Sequence, residues 1–255
     1  MGSLQAVKKM SASSSNPYSI LAEIYDHVMA HVEYDAWADY IHELLVKYGK
    51  AGGRILDAGC GTAKHIKRLR KYGYAVFGFD ASMDMIQMSS QENRRILWQG
   101  DMRAIAAKQS FDVVICLYDT IHYLKEEDLS EFFSQCSQVL KSDGLFIFDA
   151  VTEKFLRGYW ANYTEWDETE DWVITRRSWY ERREKCQHTV IDMTDHSSSK
   201  GYTEHHLQWS YSLSKLKQLG YVNGFDVLEI YEAQTLNLGS EDADRNHFVF
   251  VRRSD

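Results

Sequence analysis

The chain reads as an α/β protein built on a parallel sheet, and three observations carry that reading. Short apolar runs begin near Arg54, Ala75, Ile96, Phe111 and Gly144, separated by segments of helical periodicity at 36–48, 64–71, 83–91 and 126–140. Strands that alternate with helices are joined by crossovers, which lay the strands parallel. The runs Ala75-Val76-Phe77-Gly78-Phe79 and Val113-Val114-Ile115-Cys116-Leu117 are continuously apolar, as expected of strands covered on both faces. Third, Ile55-Leu56-Asp57-Ala58-Gly59-Cys60-Gly61-Thr62-Ala63 sets a Gly-x-Gly turn between the first such strand and its helix.

Each element has a local cause. Glycines at the turn let a ligand approach the backbone closely, and the helix beyond offers free N–H groups. Both features suit a nucleotide-like cofactor. Asp57 stands two positions before the first glycine of that turn. In helix 64–71, Ile66 and Leu69 supply an inward face, while Lys64, Lys67, Arg68, Arg70 and Lys71 make a solvated one. The next strands end in Asp80, in Gly100-Asp101-Met102 and in Leu117-Tyr118-Asp119. Lys141-Ser142-Asp143-Gly144 is a turn suited to a helix end, and it leads into Leu145-Phe146-Ile147-Phe148-Asp149.

Beyond Ala150 the pattern changes. Residues 172–211 are rich in Trp, Tyr, Val, Ile and Thr, divided by Glu181-Arg182-Arg183-Glu184 and by His196-Ser197-Ser198-Ser199-Lys200-Gly201. Two or three antiparallel strands are expected there. Leu213, Leu216 and Leu219 restore helical periodicity as far as Gly220, and 225–231 and 247–252 read as closing strands. The expected organisation is a disordered leader (1–16), a cofactor-binding core (17–150), an antiparallel β insertion (151–211) and the end of the core sheet (212–255). Trp160, Trp166, Trp172, Trp179 and Trp209 in the insertion suit a lid over an acceptor pocket or a homodimer contact; packing of a small sheet uses the same residues.

Composition bounds the function. A chain of 255 residues with 44% hydrophobic and 26% charged residues can bury one sizeable core. No apolar run is long enough to suggest a membrane span, and the start lacks the apolar stretch of a secretory signal. Cys60, Cys116, Cys136 and Cys186 are widely spaced, which fits free thiols in a reducing, cytoplasmic setting. A net charge of −8 argues against nucleic acid as a partner. His205 and His206 are adjacent on a strand and point to opposite faces, and no other ligand spacing suggests a metal.

The series Asp57-x-Gly59-x-Gly61-x-Ala63, then Asp80, then Gly100-Asp101-Met102, then Phe111-Asp112, resembles the landmarks of class I S-adenosylmethionine-dependent methyltransferases. A dinucleotide fingerprint wants a third glycine where Lys64 stands. The methyl donor carries an ammonium and no phosphate, so a carboxylate at Asp57 is useful to it. The resemblance implies a Rossmann-like, seven-stranded, mostly parallel sheet with helices on both faces, a closing hairpin, and the insertion after the fifth strand. It implies S-adenosyl-L-methionine as cofactor, with Asp57 and the Gly59–Gly61 backbone at its amino-acid end. Asp80 would take the ribose diol, Asp101 and Met102 the adenine, and Leu117 would complete the cofactor wall.

Tyr18-Ser19-Ile20-Leu21-Ala22-Glu23-Ile24-Tyr25-Asp26 resembles the opening of small-molecule N-methyltransferases, among them sugar N,N-dimethyltransferases and glycine N-methyltransferase. That implies a leading helix closing over the cofactor, with Tyr18 and Tyr25 on one face approaching its methionine end or the donor methyl, Tyr18 as a cofactor contact and Tyr25 as a catalytic candidate. Trp37 resembles the same lineage as a cofactor contact; for Tyr25 and Trp37, core packing is the competing reading. In that fold the loop Tyr118-Asp119-Thr120-Ile121-His122-Tyr123 faces the acceptor, with Tyr118 and Asp119 as substrate contacts. His122 is a candidate general base, with an ordinary surface histidine as the alternative. Tyr123 occupies the position where several N-methylating relatives carry histidine. Methyl transfer to a small-molecule acceptor is expected, nitrogen ahead of oxygen. The rivals are a catalytically silent cofactor-binding protein and a nicotinamide-dependent oxidoreductase, the latter disfavoured by Asp57 and Lys64.

Overall fold

A computed structural model describes residues 13–254. Strand β1 (Ser13–Ser15) precedes helices α1 (Leu21–Val28) and α2 (Tyr34–Lys47). Then come β2 (Arg54–Ala58), α3 (Lys64–Lys71), β3 (Ala75–Asp80), α4 (Met83–Met88), β4 (Leu97–Gln99), β5 (Phe111–Cys116), α5 (Glu126–Val139) and β6 (Leu140–Val151). After α6 (Glu153–Gly158), strands β7 (Asn162–Glu168), β8 (Trp172–Glu181), β9 (Cys186–Asp195) and β10 (Gly201–Trp209) form consecutive hairpins. Helix α7 (Leu213–Val222) and strands β11 (Phe225–Glu232) and β12 (Arg245–Arg252) close the chain.

The core sheet has seven strands in the order β11-β12-β6-β5-β2-β3-β4. Neighbours from β6 to β4 run parallel, and β12 is antiparallel to both β6 and β11. Alternation along each strand fills two cores. Leu56, Val114, Cys116, Phe146 and Phe148 face α5 and α7, while Ile55, Val113, Ile115, Leu145 and Ile147 face α2 and α3. Helix α5 meets the first face with Leu129, Phe132, Phe133, Cys136 and Val139, and α2 meets the second with Ile41, Leu44 and Leu45. Each such side chain contributes about 1.5–3 kcal/mol by leaving water. The mostly parallel α/β sheet is thus the one the sequence implied, and all four cysteines are buried and free.

The second sheet, of order β1-β10-β9-β8-β7, stands over the carboxyl ends of the core strands. Three antiparallel strands occupy 172–211, within the two or three expected there, and a fourth, β7, precedes them. Strand β7 escaped notice because Asn162-Tyr163-Thr164-Glu165-Trp166-Asp167-Glu168 mixes acids with aromatics; its residues alternate between half-buried and exposed. The expected leader falls largely on residues outside those described. Its end, Ser13–Ser15, instead runs parallel to Tyr202-Thr203-Glu204 of β10. Tyr18 is also not helical. Its φ is +59, and its N–H donates to Glu204 Oε2 at 2.7 Å, so α1 begins only at Leu21. Among the described residues, no helix is long and apolar enough to cross a membrane.

Candidate active site

The turn after β2 is as tight as its glycines suggested. Gly59 (φ +74) and Gly61 (φ +55) adopt left-handed backbone, and a Cβ on Gly59 would lie 2.4 Å from Thr120 Cγ2. Asp57, at the end of β2, is 2% exposed, and its Oδ2 has no hydrogen-bond partner among the described residues. Burial, reinforced by the nearby Asp80 charge, pushes the Asp57 carboxyl up to about 7. An unsatisfied buried acid facing a cavity is unstable until a cation or a proton meets it. Asp80 ends β3. Its Oδ2 accepts the Gly61 N–H (2.8 Å) and its Oδ1 the Ser82 N–H (2.9 Å), while burial still raises its pKa.

Both acids line a cavity of about 1070 Å³ between the core sheet and the second sheet. That lies at the upper end of the roughly 300–1,000 Å³ usual for ligand pockets. Further buried polar atoms on its wall lack hydrogen-bond partners among the described residues, Tyr34 Oη and His65 Nε2 among them. Their rings pack edge to face at 5.2 Å. Burial lowers His65 to about 4, so it stays neutral. Further along, Met102 and Leu117 line the wall, and Asp101 does so with its carboxylate held by Arg103 (2.6 Å to Nη2). The Arg103 contact holds Asp101 below the usual carboxylate range.

The loop after β5 is strained. Tyr118 (φ +61) and Asp119 (φ +53) are consecutive left-handed residues, a costly conformation for side chains with a Cβ. Asp149 holds them there: its carboxylate accepts the Tyr118 N–H (2.5 Å) and the Asp119 N–H (3.0 Å). Arg245 completes the cluster, paired to Asp149 and lying 2.6 Å from Asp119 Oδ1. Burial would raise Asp119, but the Arg245 charge holds it below its ordinary value. Gln208 of β10 donates to Asp119 Oδ2 at 3.0 Å, tying loop to roof.

The roof supplies Tyr163, Glu165, Arg176, Ser178, Gln187, Thr189, His206 and Gln208 to the cavity. Arg176 pairs with Glu165 and lies over the rings of Trp160 (5.5 Å) and Tyr163 (5.7 Å). From the opposite side Tyr18 and Tyr25 enter, their rings 5.8 Å apart.

A methyltransferase domain family matches residues 55–144, the span from the glycine turn to the start of the fifth core strand. A Geobacillus sp. (strain WCH70) protein named as a methyltransferase is 32% identical over 247 residues, covering 91% of this chain and 98% of its own. The chain belongs to the class I S-adenosylmethionine-dependent methyltransferases. A Streptomyces fradiae relative, dTDP-3-amino-3,6-dideoxy-alpha-D-glucopyranose N,N-dimethyltransferase, is 25% identical over 191 residues (72% of this chain, 74% of that one). Among solved structures, a Clostridium acetobutylicum S-adenosylmethionine-dependent methyltransferase superposes with a TM-score of 0.80 at 21% identity, covering 93% and 99% of the two chains. The orphaned Asp57 carboxylate, the open turn and the cavity volume fit the cofactor of this family, a cation with an amino-acid end.

The methyltransferase brings Tyr18, Tyr25, Asp57, Gly59, Gly61, Asp80, Asp101, Met102, Leu117, Tyr118, Asp119 and Tyr123 to one cavity. Two expected residues stand elsewhere. His122 is fully buried, its Nδ1 bonded to the Trp209 carbonyl (2.6 Å) and its Nε2 accepting the Val151 N–H (3.1 Å). Burial lowers its pKa, and both ring nitrogens are occupied, so a general-base role for it is withdrawn. Trp37 packs against His247 (5.1 Å), Tyr118 (5.3 Å) and Arg245 (5.4 Å) behind the cavity wall; the packing alternative holds. Sequence reasoning missed Tyr34, His65, Asp149, Glu204, His206 and Arg245. Asp149 ends a strand as Asp57 and Asp80 do, a signal that could have singled it out; Arg245 carried none.

Proposed function

We propose that this methyltransferase transfers the sulfonium methyl of S-adenosyl-L-methionine to nitrogen on a small molecule. The observation that carries the reading is the polarity of the cavity. One wall presents the unpartnered, buried Asp57 beside Asp80, and the roof offers hydroxyl, amide and guanidinium groups with aromatic faces. Asp57 is assigned to the cofactor ammonium, Tyr34 and His65 to its carboxylate, and Asp80 to the ribose diol. Asp101, Met102 and Leu117 are assigned to the adenine side, with the Arg103 side chain displaced or shared. The sulfonium methyl is already activated, so holding a lone pair in line with the carbon–sulfur bond supplies much of the acceleration. Tyr18, Tyr25, Tyr118, Asp119 and Tyr123 are assigned to the acceptor side. The amino-sugar specificity in the name of the Streptomyces relative supports a polar amine as acceptor class.

Calorimetry with S-adenosylhomocysteine tests the cofactor half. Asp57→Asn and Asp80→Ala should each weaken binding by about 1.5–3 kcal/mol, the worth of a hydrogen bond to a charged group. Parental affinity in both folded variants would defeat the assignment.

A further inference from the structure

Four side chains from three separate parts of the chain form one continuous hydrogen-bonded line at the acceptor side. Tyr18 Oη lies 2.7 Å from Tyr123 Oη, and Tyr123 Oη lies 3.0 Å from His206 Nδ1. His206 Nε2 lies 3.1 Å from Glu204 Oε2. Glu204 is fully buried and His206 is 3% exposed, while Tyr18, Tyr123 and His206 all line the cavity. Resting on the reading of this cavity as an amine-methylation site, we propose that the line carries away the acceptor's proton: Tyr18 receives it, Tyr123 relays it, and His206 keeps it.

The direction of the line follows from donor and acceptor capacity. An ionised carboxylate only accepts, so the proton between His206 and Glu204 sits on Nε2. His206 Nδ1 is then a bare lone pair and takes the Tyr123 hydroxyl proton in its hydrogen bond. Tyr123 oxygen in turn accepts from Tyr18, which leaves the Tyr18 oxygen lone pairs to meet a donor in the cavity. Burial raises both phenols well above their ordinary range, so they pass a proton without holding a negative charge. Burial also works against the Glu204 carboxylate, but His206 and three backbone N–H groups hold it below its usual value.

Those three N–H groups give the arrangement a second property. Glu204 accepts from Tyr18 N (2.7 Å), Ile20 N (2.8 Å) and Leu21 N (2.9 Å) with the same carboxylate that orients His206. Ser82, whose N–H rests on Asp80, donates its hydroxyl to the Tyr18 carbonyl at 2.7 Å. The proton acceptor is therefore complete only with the N-terminal segment seated over the cavity. Glu204 and His206 are positioning residues in this scheme; of the four members of the line, Tyr18 is the one that takes the acceptor's proton.

The step balances. The amine lone pair forms the nitrogen–carbon bond while the carbon–sulfur pair passes to sulfur, leaving a neutral thioether and a positively charged nitrogen. That nitrogen gives a proton to Tyr18 Oη and keeps the bonding pair. Tyr18 passes its own proton to Tyr123, and Tyr123 passes its proton to His206 Nδ1. The imidazolium so formed lies against Glu204. The titratable groups that bear on His206 are Glu204 and His205 on its own strand, Tyr123 from the loop before α5 and Tyr18 from the N-terminal segment. Asp119 acts through its charge on both tyrosines.

The test uses the full chain labelled with ¹⁵N-histidine and saturated with S-adenosylhomocysteine. His206 should appear as the neutral Nε2–H tautomer with Nδ1 unprotonated, and Tyr123→Phe should shift the Nδ1 resonance without changing the tautomer. A Nδ1–H tautomer in the parent overturns the proposal, because Nδ1 could then accept nothing. Turnover is read in parallel with a labelled methyl donor and glucosamine as the amine probe. His206→Asn and Tyr123→Phe should each lower kcat by about 10²–10⁴-fold, the range for proton transfer by a positioned group, with donor KM little changed. The double variant should be no slower than either single one, as for groups acting as a unit. Parental kcat in both single variants overturns the proposal. A parent that binds S-adenosylhomocysteine but methylates no amine defeats the acceptor assignment instead, and the tautomer then decides the relay by itself.

Discussion

Arg245, the first residue of β12, forms an ion pair with the fully buried Asp149 of β6. Through Asp149 the pair sustains the left-handed backbone of Tyr118 and Asp119, and so shapes part of the cavity wall.

Removing Arg245 strands two carboxylates in a closed environment. Arg245→Met should cost about 3–5 kcal/mol, as for other buried pairs broken on one side. In a chain of this length each kcal/mol shifts the midpoint by roughly 2–4 °C. Thermal unfolding should therefore show a fall on the order of 10 °C. A midpoint unchanged within error would mean that the cluster is not holding the loop.

Asp57 makes stability and cofactor binding depend on pH in opposite directions. Its folded value of about 7 lies above the roughly 3.9 of an unfolded aspartate. A raised carboxyl stabilises the fold fully below pH about 4, and that contribution is lost as pH rises through about 7. Denaturant titrations of the free protein should show this decline, and Asp57→Asn should remove it. S-adenosylhomocysteine needs the ionised form, so its affinity should rise by up to about tenfold per pH unit below pH about 7 and then level. Calorimetry that finds equal affinity at pH 5 and pH 7 would contradict the role given to Asp57.

Gly59→Ala joins two faults, a left-handed φ and a Cβ 2.4 Å from Thr120 Cγ2. Cofactor affinity should fall sharply in calorimetry, because either the turn or the loop after β5 must move. Adding Thr120→Ser removes the struck methyl and should recover part of the loss, leaving the backbone strain. No recovery would place the whole effect in the turn.

His122→Ala should act on the fold. The Trp209 carbonyl and Val151 N–H would each lose a buried partner, at about 1–3 kcal/mol apiece. Thermal unfolding should register this while the pH dependence of transfer stays where the parent has it. Loss of a pH limb with an unchanged midpoint would restore His122 as a base.

Much of the architecture was legible because its causes are local. The run at Ile55–Ala58, the Gly-x-Gly turn, and Ile66 with Leu69 on a basic helix each state their role within a few residues. Asp57 and Asp80 were visible because acids at the ends of apolar strands are conspicuous. Roof residues were harder to read. Glu204 and His206 look like an ordinary polar alternation on a strand, and their meaning comes from Tyr18 and Tyr123, far away in the chain. His122 misled for the converse reason: its neighbours place it in the acceptor loop, but its side chain turns inward to Trp209 and Val151. Tyr18 was expected on the face of α1, but the bond from its N–H to Glu204 sets it outside the helix, which starts only at Leu21.

The most direct test of the proposed small-molecule N-methylation is to supply the chain with S-adenosyl-L-methionine bearing a ¹³C-methyl group, add a metabolite extract, and locate the label by mass spectrometry and NMR. The label should appear in a low-molecular-weight product, bonded to nitrogen, and should be lost in Asp57→Asn. Label bonded to oxygen or carbon, label confined to protein or RNA, or no transfer by a chain that binds the cofactor would contradict it.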